Sequence, residues 1–428
     1  MKNSLRSVVS RFMNMVVAML VCIVATTSFF SCSKDEENDA PNPPYYDESM
    51  ADSRTVLVYM VAENSLASYT ASDINEMLYG MRYSHLKPGD NLVVYVDDTD
   101  KPRIYNITPK DTILNAFTLK PEYTYSEDKN SADANHLGEV IDYVKRKHPA
   151  ESYGLVLWSH GSGWIPDNNN IAIKSKHRAF GLDNNNNTTY NSGNQMNISD
   201  MARCIESRIK FEYIFFDACF MQCIELDYEL RNATKYVVAS PAEIPGPGAD
   251  YRSTMSALFK ADSSAYAIVD AYYKTYVNDA DYGVIISSVD VAKLDNFLTY
   301  MKNVVRKHPD SFLPATLKNI QNYFDYSIYS SQKMPDFLDI KGIAASALSE
   351  TEYAEWNNEY SKIIDNCKFT QYWYSRYPNM RLSVDAEQCG GVSMFLPIPH
   401  RYWYLGMSLD VYEAIMNTDW GRELWSIE

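Results

Sequence analysis

The chain has 428 residues, enough for one large or two medium domains with a sizeable core. Its 55 acidic residues against 39 Lys and Arg give a formal net charge of −16 at pH 7, which argues against nucleic acid as a partner, because nucleic-acid-binding surfaces are basic. The same balance suits attraction of cationic substrates, and equally simple solubility.

Residues 1–32 read as an address and not as part of a fold. Lys2, Arg6 and Arg11 precede an apolar run from Phe12 to Phe30, and Ser31 then precedes Cys32, the pattern of a secretory signal. The placement of Cys32 resembles a bacterial lipobox, in which that cysteine is lipidated and becomes the mature N-terminus; a plain transmembrane anchor is the alternative. Behind it come Asp35, Glu36, Glu37 and Asp39, then Pro41, Pro43 and Pro44. Such a stretch cannot bury a core, so 33–53 reads as an extended tether. Acidic residues just behind a lipidated cysteine resemble the export signal of surface lipoproteins in the Bacteroidetes. The expectation is an outer-membrane lipoprotein, exposed at the cell surface and held by its acyl chains.

From residue 54, strand and helix signals alternate. Thr55–Ala62 is a nearly continuous apolar run and predicts a central strand. Ile74, Met77, Leu78 and Met81 have helical spacing over 72–82, with Ser72 as the cap. Asn91–Asp97 predicts the next strand, and Asp97, Asp98 and Asp100 close it. Hard cations need six or more oxygens, so this acidic cluster reads as a solvated turn in preference to a calcium site. His136–Lys147 predicts a helix whose basic last turn suits the dipole, with Pro149 stopping it after His148; Arg306, Lys307, His308 and Pro309 repeat the arrangement. Gly154–Ser159 is another apolar strand, ended by His160 and by Gly161 and Gly163, which let the backbone turn sharply.

Residues 165–187 are polar and Asn-rich, an exposed connection of the kind that proteases nick, and they carry Lys174, Lys176 and Arg178. Tyr213–Asp217 then predicts a short buried strand, and Ile224, Leu226 and Leu230 have helical spacing. Cys219 falls at that strand-to-helix turn, where unpaired N–H groups favour thiolate over thiol. Tyr236–Ser240 and Tyr282–Val289 supply further strands. The alternation predicts an α/β fold, a mostly parallel sheet with helices on both faces, over 54–295. Residues 296–428 are rich in Tyr and Trp, with helical spacing at Leu294–Val305 and Ile415–Leu424. Gly391–Leu396 predicts one more buried strand, the aromatic residues are expected to fill a core, and the region as a whole is expected to pack on the sheet and complete it.

In an open parallel sheet the carboxyl ends of adjacent strands lie side by side, and ligands bind there. His160 and Cys219 each follow a predicted strand, so a general base and a thiol nucleophile can meet. Cys204, Cys223, Cys367 and Cys389 allow three disulfide pairings that sequence does not choose among, and Cys223 reads as buried packing. Neither a Cys-x-x-Cys nor a His-x-x-x-His pair occurs, which leaves zinc without support.

Three motifs, in order, carry a resemblance: Trp158-Ser-His160-Gly-Ser-Gly-Trp164, Phe216-Asp217-Ala218-Cys219-Phe-Met221, and Ser240-Pro-Ala-Glu243-Ile-Pro-Gly246-Pro-Gly248. They resemble the clostripain family of cysteine peptidases, in the caspase-like clan. The strand at Val56–Val61 and Glu63-Asn64-Ser65-Leu66 resemble that family's first strand and its acidic-Asn-x-Leu segment, with Ser65 and Pro241 departing from the pattern. The resemblance implies a caspase-like sheet and a monomeric endopeptidase with a Cys219–His160 dyad. It implies Asp217 at the floor of the first specificity pocket, where a carboxylate pairs with the Arg or Lys of a protein substrate. Backbone N–H groups near Gly161 and Cys219 are expected to stabilise the oxyanion. Self-cleavage is expected at Lys174, Lys176 or Arg178. Calcium dependence occurs in the family, so calcium stays open as a cofactor, although no ligands follow from the sequence. The alternatives are a peptidase of non-basic preference and a silent lipoprotein that binds peptides or a surface partner.

Overall fold

The computed structural model describes residues 53–113, 115–164, 180–184, 193–312, 320–323, 337–375, 380–396 and 409–426. Cys32, the tether up to residue 52, and Lys174, Lys176 and Arg178 lie outside the described residues. The strands in chain order are β1 (Arg54–Val61), β2 (Asn91–Asp97), β3 (Arg103–Ile107), β4 (Tyr123–Thr124), β5 (Ser152–Trp158), β6 (Phe180–Asp183), β7 (Asn194–Met196) and β8 (Phe211–Asp217). Then follow β9 (Thr234–Ala239), β10 (Ile285–Asp290), β11 (Leu338–Asp339), β12 (Ile364–Phe369), β13 (Tyr372–Ser375), β14 (Met380–Ser383) and β15 (Ser393–Met394).

Nine of these form one sheet in the order β12-β10-β9-β8-β5-β1-β2-β3-β4. The five in its centre, β9, β8, β5, β1 and β2, run parallel, and antiparallel strands close both edges. Every residue of β1 is buried, because alternate side chains feed cores on opposite faces. Leu57, Tyr59 and Val61 pack under the helices Ala134–Lys147 and Ile198–Glu206. Val56, Val58 and Met60 pack under Thr70–Tyr83, Tyr251–Leu258 and Ser264–Tyr276. Each such Val or Leu contributes about 1.5–3 kcal/mol by burial, so a charge placed anywhere from Val56 to Val61 would break one layer or the other. The expected α/β sheet with helices on both faces is therefore present.

Four local expectations change. The first helix starts at Thr70 and not at Ser72; it continues from a 3-10 turn at Ala67–Tyr69 and has no side-chain cap. Phe180–Asp183, read as part of a polar connection, is a buried strand paired with Asn194–Met196. Gly391–Leu396 does not join the sheet: only Ser393 and Met394 are in a strand, paired with Asp339 and Leu338. The chain bends before it, with Gly391 at φ 78° and the N–H groups of Gly390 and Gly391 both on Asp339 Oδ2, at 2.8 and 3.2 Å. The edge strand that the 296–428 region adds to the sheet is β12, antiparallel to β10. Residues 415–424 hold two helices, Leu409–Met416 and Asp419–Trp425, separated where Thr418 Oγ accepts the Gly421 N–H at 3.0 Å. The aromatic residues of this region do fill a core: Trp356, Trp373 and Trp420 are fully buried.

Candidate active site

The site lies at the carboxyl ends of the parallel strands. Trp158 of β5 pairs with Asp217 of β8, so His160 and Cys219, each two residues further on, leave adjacent strands at the same level. The backbones meet there. A Cβ on Gly161 would sit 2.7 Å from the Cys219 carbonyl oxygen and 2.6 Å from Met221 Sδ, a fit that only glycine allows. Gly161 also bridges Phe180, and His160 O accepts the Gly181 N–H at 3.0 Å.

The imidazole is held from the end of β1. Ser65 Oγ lies 3.0 Å from His160 Nε2. Asn64, fully buried, fixes the Ser65 position: its Nδ2 donates to Val61 O at 2.9 Å and Leu182 O at 2.8 Å, and its Oδ1 accepts the Leu66 N–H at 2.9 Å. Ser159 Oγ donates to Val61 O at 2.7 Å, tying the end of β5 to the end of β1. The acidic-Asn-x-Leu segment is thus a clamp on the histidine. Sequence reasoning found no residue orienting His160, and Ser65 was visible only as a departure from the family pattern.

Cys219 is partly exposed, and Ile244 N–H donates to its Sγ at 3.4 Å. The turn that carries it is set by Phe220 at φ 61°, whose N–H bonds Ala242 O at 3.0 Å. The expectation of a thiolate at a helix N-terminus is not met. The helix Ile224–Glu229 begins five residues later and has only six residues, with Cys223 at its N-cap. Burial pushes the thiol up to about 12, Glu243 and Asp217 add to it, and the Ile244 N–H opposes.

Asp217 is 3 % exposed and does not cap the following helix. Its carboxylate accepts the Ala249 N–H at 3.1 Å and the Tyr251 hydroxyl at 2.9 Å. Gly248, at φ 66°, approaches so closely that a Cβ there would lie 2.8 Å from both carboxylate oxygens. Behind Asp217 sits Asp73, which accepts Trp158 Nε1–H at 2.8 Å. Burial pushes Asp217 up to about 6, and burial with the charge of Asp217 pushes Asp73 up to about 9. Neither Asp73 nor Tyr251 carries a sequence signal for this role.

The acidic turn after β2 is not solvated as expected. Asp98 is buried against Arg103 at 2.8 Å and Thr70 at 3.2 Å, and only Asp100 is exposed. Asp97 instead groups with Glu63 and Asp128, whose carboxylates are the described residues able to hold a metal ion. Cys204, Cys223, Cys367 and Cys389 are all free thiols.

Comparison with known proteins decides what this arrangement belongs to. The family model described as "Clostripain family" matches residues 58–401. The chain belongs to the clostripain family of cysteine proteases. It is 27% identical to clostripain of Hathewaya histolytica over 220 residues, which are 46% of this chain and 40% of that protein, so the match spans less than half of that relative. Among solved structures it is similar to an inactive zymogen protease from Parabacteroides distasonis, at 26% identity and TM-score 0.70, covering 88% of this chain and 99% of that one. A secreted cysteine protease from Bacteroides thetaiotaomicron, solved with an irreversible peptide inhibitor, gives 28% identity and TM-score 0.68 over 86% of this chain and 99% of that one.

Proposed function

We propose that this clostripain-family chain is an endopeptidase that cuts after Arg or Lys, with Cys219 as nucleophile and His160 as general base. The observation that carries the reading is the junction of Gly161 with the Cys219 carbonyl, which brings the histidine turn and the cysteine turn into contact. In this reading the His160 imidazole takes the thiol proton and later passes it to the leaving amine. Backbone N–H groups of Gly161 and Cys219 would receive the oxyanion. Asp217, a buried carboxylate raised to about 6, has no basic side chain among the described groups that shift it, a countercharge that a substrate guanidinium or ammonium would supply.

Self-cleavage at Lys174, Lys176 or Arg178 would match this preference. These residues lie on the connection between the two catalytic turns, and the Parabacteroides relative is described as an inactive zymogen. The N-terminal signal and Cys32 fit an outer-membrane lipoprotein facing outward, monomeric and acting on protein or peptide substrates.

The test is hydrolysis of fluorogenic peptides ending in Arg, Lys or Asp by the wild type beside Cys219→Ala, with the chain mass recorded before and after incubation. Arg or Lys turnover that vanishes in the variant is expected, with a mass split near 174–178. Turnover after Asp alone would overturn the basic preference. No turnover, even after the connection is cut in trans, would overturn the peptidase and favour a silent binder.

A further inference from the structure

Two of the cysteines meet at the edge of the sheet. Cys367 lies in β12 opposite Ser287 of β10, and Cys389 precedes the bend at Gly390 and Gly391. That bend is laid across the strand pair. Ser287 Oγ donates to Gly391 O at 2.6 Å, and a Cβ on Gly391 would sit 2.5 Å from Cys367 Sγ. From the other side the Tyr360 hydroxyl donates to Gly390 O at 2.9 Å, and the Tyr323 hydroxyl, which bonds Asp339, lies 3.6 Å from Cys389 Sγ.

The outcome is a contact between thiols. Hydrogen bonding to Cys367, with burial second, holds the proton on Cys389 well above the ordinary thiol range. Cys389 is 5 % exposed, whereas Cys367 is partly open to solvent. The remaining cysteines are engaged elsewhere: Cys204 Sγ donates to Ala134 O at 2.8 Å beside Arg208, and Cys223 is buried at the N-cap of the helix Ile224–Glu229. Of the three pairings that the sequence allows, one is thus prearranged, and thiols within hydrogen-bonding reach need little movement to come to bonding distance.

We propose that Cys367 and Cys389 are a disulfide-forming pair, closed by an oxidant of the disulfide class, and that the bond fastens the segment behind the Cys219 turn. Cys367, the member open to solvent, loses its proton and attacks one sulfur of the oxidant; the other sulfur leaves as a thiolate and takes up a proton. Cys389 then loses its proton and attacks Cys367 Sγ, which breaks the mixed disulfide and releases the second thiol. Two protein thiols are oxidised, and one oxidant disulfide is reduced to two thiols. Residues 1–32, read as a secretory signal, would bring the chain to a compartment where such oxidants act. The fastened segment is a brace: Ser393 N–H donates to Gln222 O at 3.0 Å, and Phe395 N–H to Glu225 Oε1 at 2.8 Å. The pairing stands apart from the peptidase reading, which only its effect at the Cys219 turn touches.

The test uses the full chain carrying Cys219→Ala, so that the active-site thiol takes no part. It is incubated with oxidised glutathione or with dithiothreitol, denatured in N-ethylmaleimide and digested with trypsin without reduction. Lys368 and Arg381 lie between the two cysteines, so after cleavage only a disulfide holds their peptides together. The linked peptides are expected in the oxidised sample alone, with maleimide lost from both cysteines. The oxidised form should unfold a few degrees higher than the reduced form, because the bond closes a loop in the unfolded chain. Cys367→Ala, at a partly exposed position, should abolish the link and the shift together. Hydrogen exchange should show residues 219–225 and 389–395 better protected after oxidation. Full maleimide labelling after oxidation, glutathione left standing on Cys367, or a link from either residue to another cysteine would overturn the pair. A shift that persists in Cys367→Ala would overturn the bond as its cause, and unchanged protection at 219–225 would overturn the brace.

Discussion

Replacing Asp217 by Asn tests the specificity pocket and its electrostatic cost together. The folded chain holds the Asp217 proton up to about pH 6, against an ordinary carboxyl value of 3.8, because burial disfavours the charge. Folding therefore takes up a proton between those two values, and stability falls as pH rises through that window. A raise of about two pH units corresponds to about 3 kcal/mol at high pH, of which about 2 kcal/mol is lost between pH 4 and 8. The amide in Asp217→Asn would carry no charge at any pH, and its oxygen can still accept the Ala249 N–H. Denaturant unfolding of Asp217→Asn and its parent, both in the Cys219→Ala background to keep the chain intact, reads the difference. The variant should gain about 2 kcal/mol relative to its parent on going from pH 4 to pH 8. Relief of Asp73, which the Asp217 charge helps to raise, acts in the same direction. With Cys219 present, Asp217→Asn should lose on the order of a hundredfold in kcat/KM for Arg peptides, the scale of an unpaired buried charge. A stability difference that stays constant with pH would refute the buried-charge reasoning, and unchanged Arg hydrolysis would refute the pocket.

Gly161→Ala should cost roughly five- to a hundredfold in kcat/KM, because its Cβ collides with Met221 and the Cys219 carbonyl and overpacking of this kind costs about 1–3 kcal/mol; normal turnover would refute the junction. Ser65→Ala removes the bond to His160 Nε2, worth about 1 kcal/mol, so kcat should fall about fivefold at constant KM, and Ser65→Thr should retain most of the activity. In Glu243→Gln the second cause of the raised Cys219 value disappears. The thiol should then ionise at lower pH and alkylate faster with iodoacetamide at pH 8, followed by mass spectrometry of the Cys219 peptide; identical pH–rate profiles would refute the assignment.

How far the site was legible follows from the range of the forces involved. The strand ends carrying His160 and Cys219 could be read because an apolar run that stops at Gly or at a small polar cluster marks its own end. The parallel centre followed from alternation alone. What escaped was set by contacts distant in sequence. Tyr251 reaches Asp217 from a helix whose pattern says only that it is amphipathic. β12 escaped because it follows the helix Glu350–Ile363 directly, without any turn residue between. The thiolate expectation failed for a related reason. The positive end of a helix is a local property, whereas burial among Glu243, Asp217 and the 242–244 backbone is not, and here burial outweighs it.

Burial set at long range also accounts for the crowding of acidic groups at the strand ends. On one side of the His160 clamp, Asp217 and Asp73 are buried together; on the other, Glu63 and Asp97 are. Burial pushes Asp97 up to about 9, with Glu63 and Asp183 adding to it, as burial and Asp217 push up Asp73. Groups kept only for stability would be replaced at little cost by neutral ones of the same shape, since an unpaired buried carboxylate destabilises the fold. In the reading proposed above, a basic side chain arriving at Asp217 would supply a countercharge and lower the Asp73 value that Asp217 helps to raise. Stability gained on binding a peptide with Arg or Lys before the cut bond is therefore expected, and the gain should persist in Asp97→Asn, because Glu63 and Asp97 are not among the groups that raise Asp217.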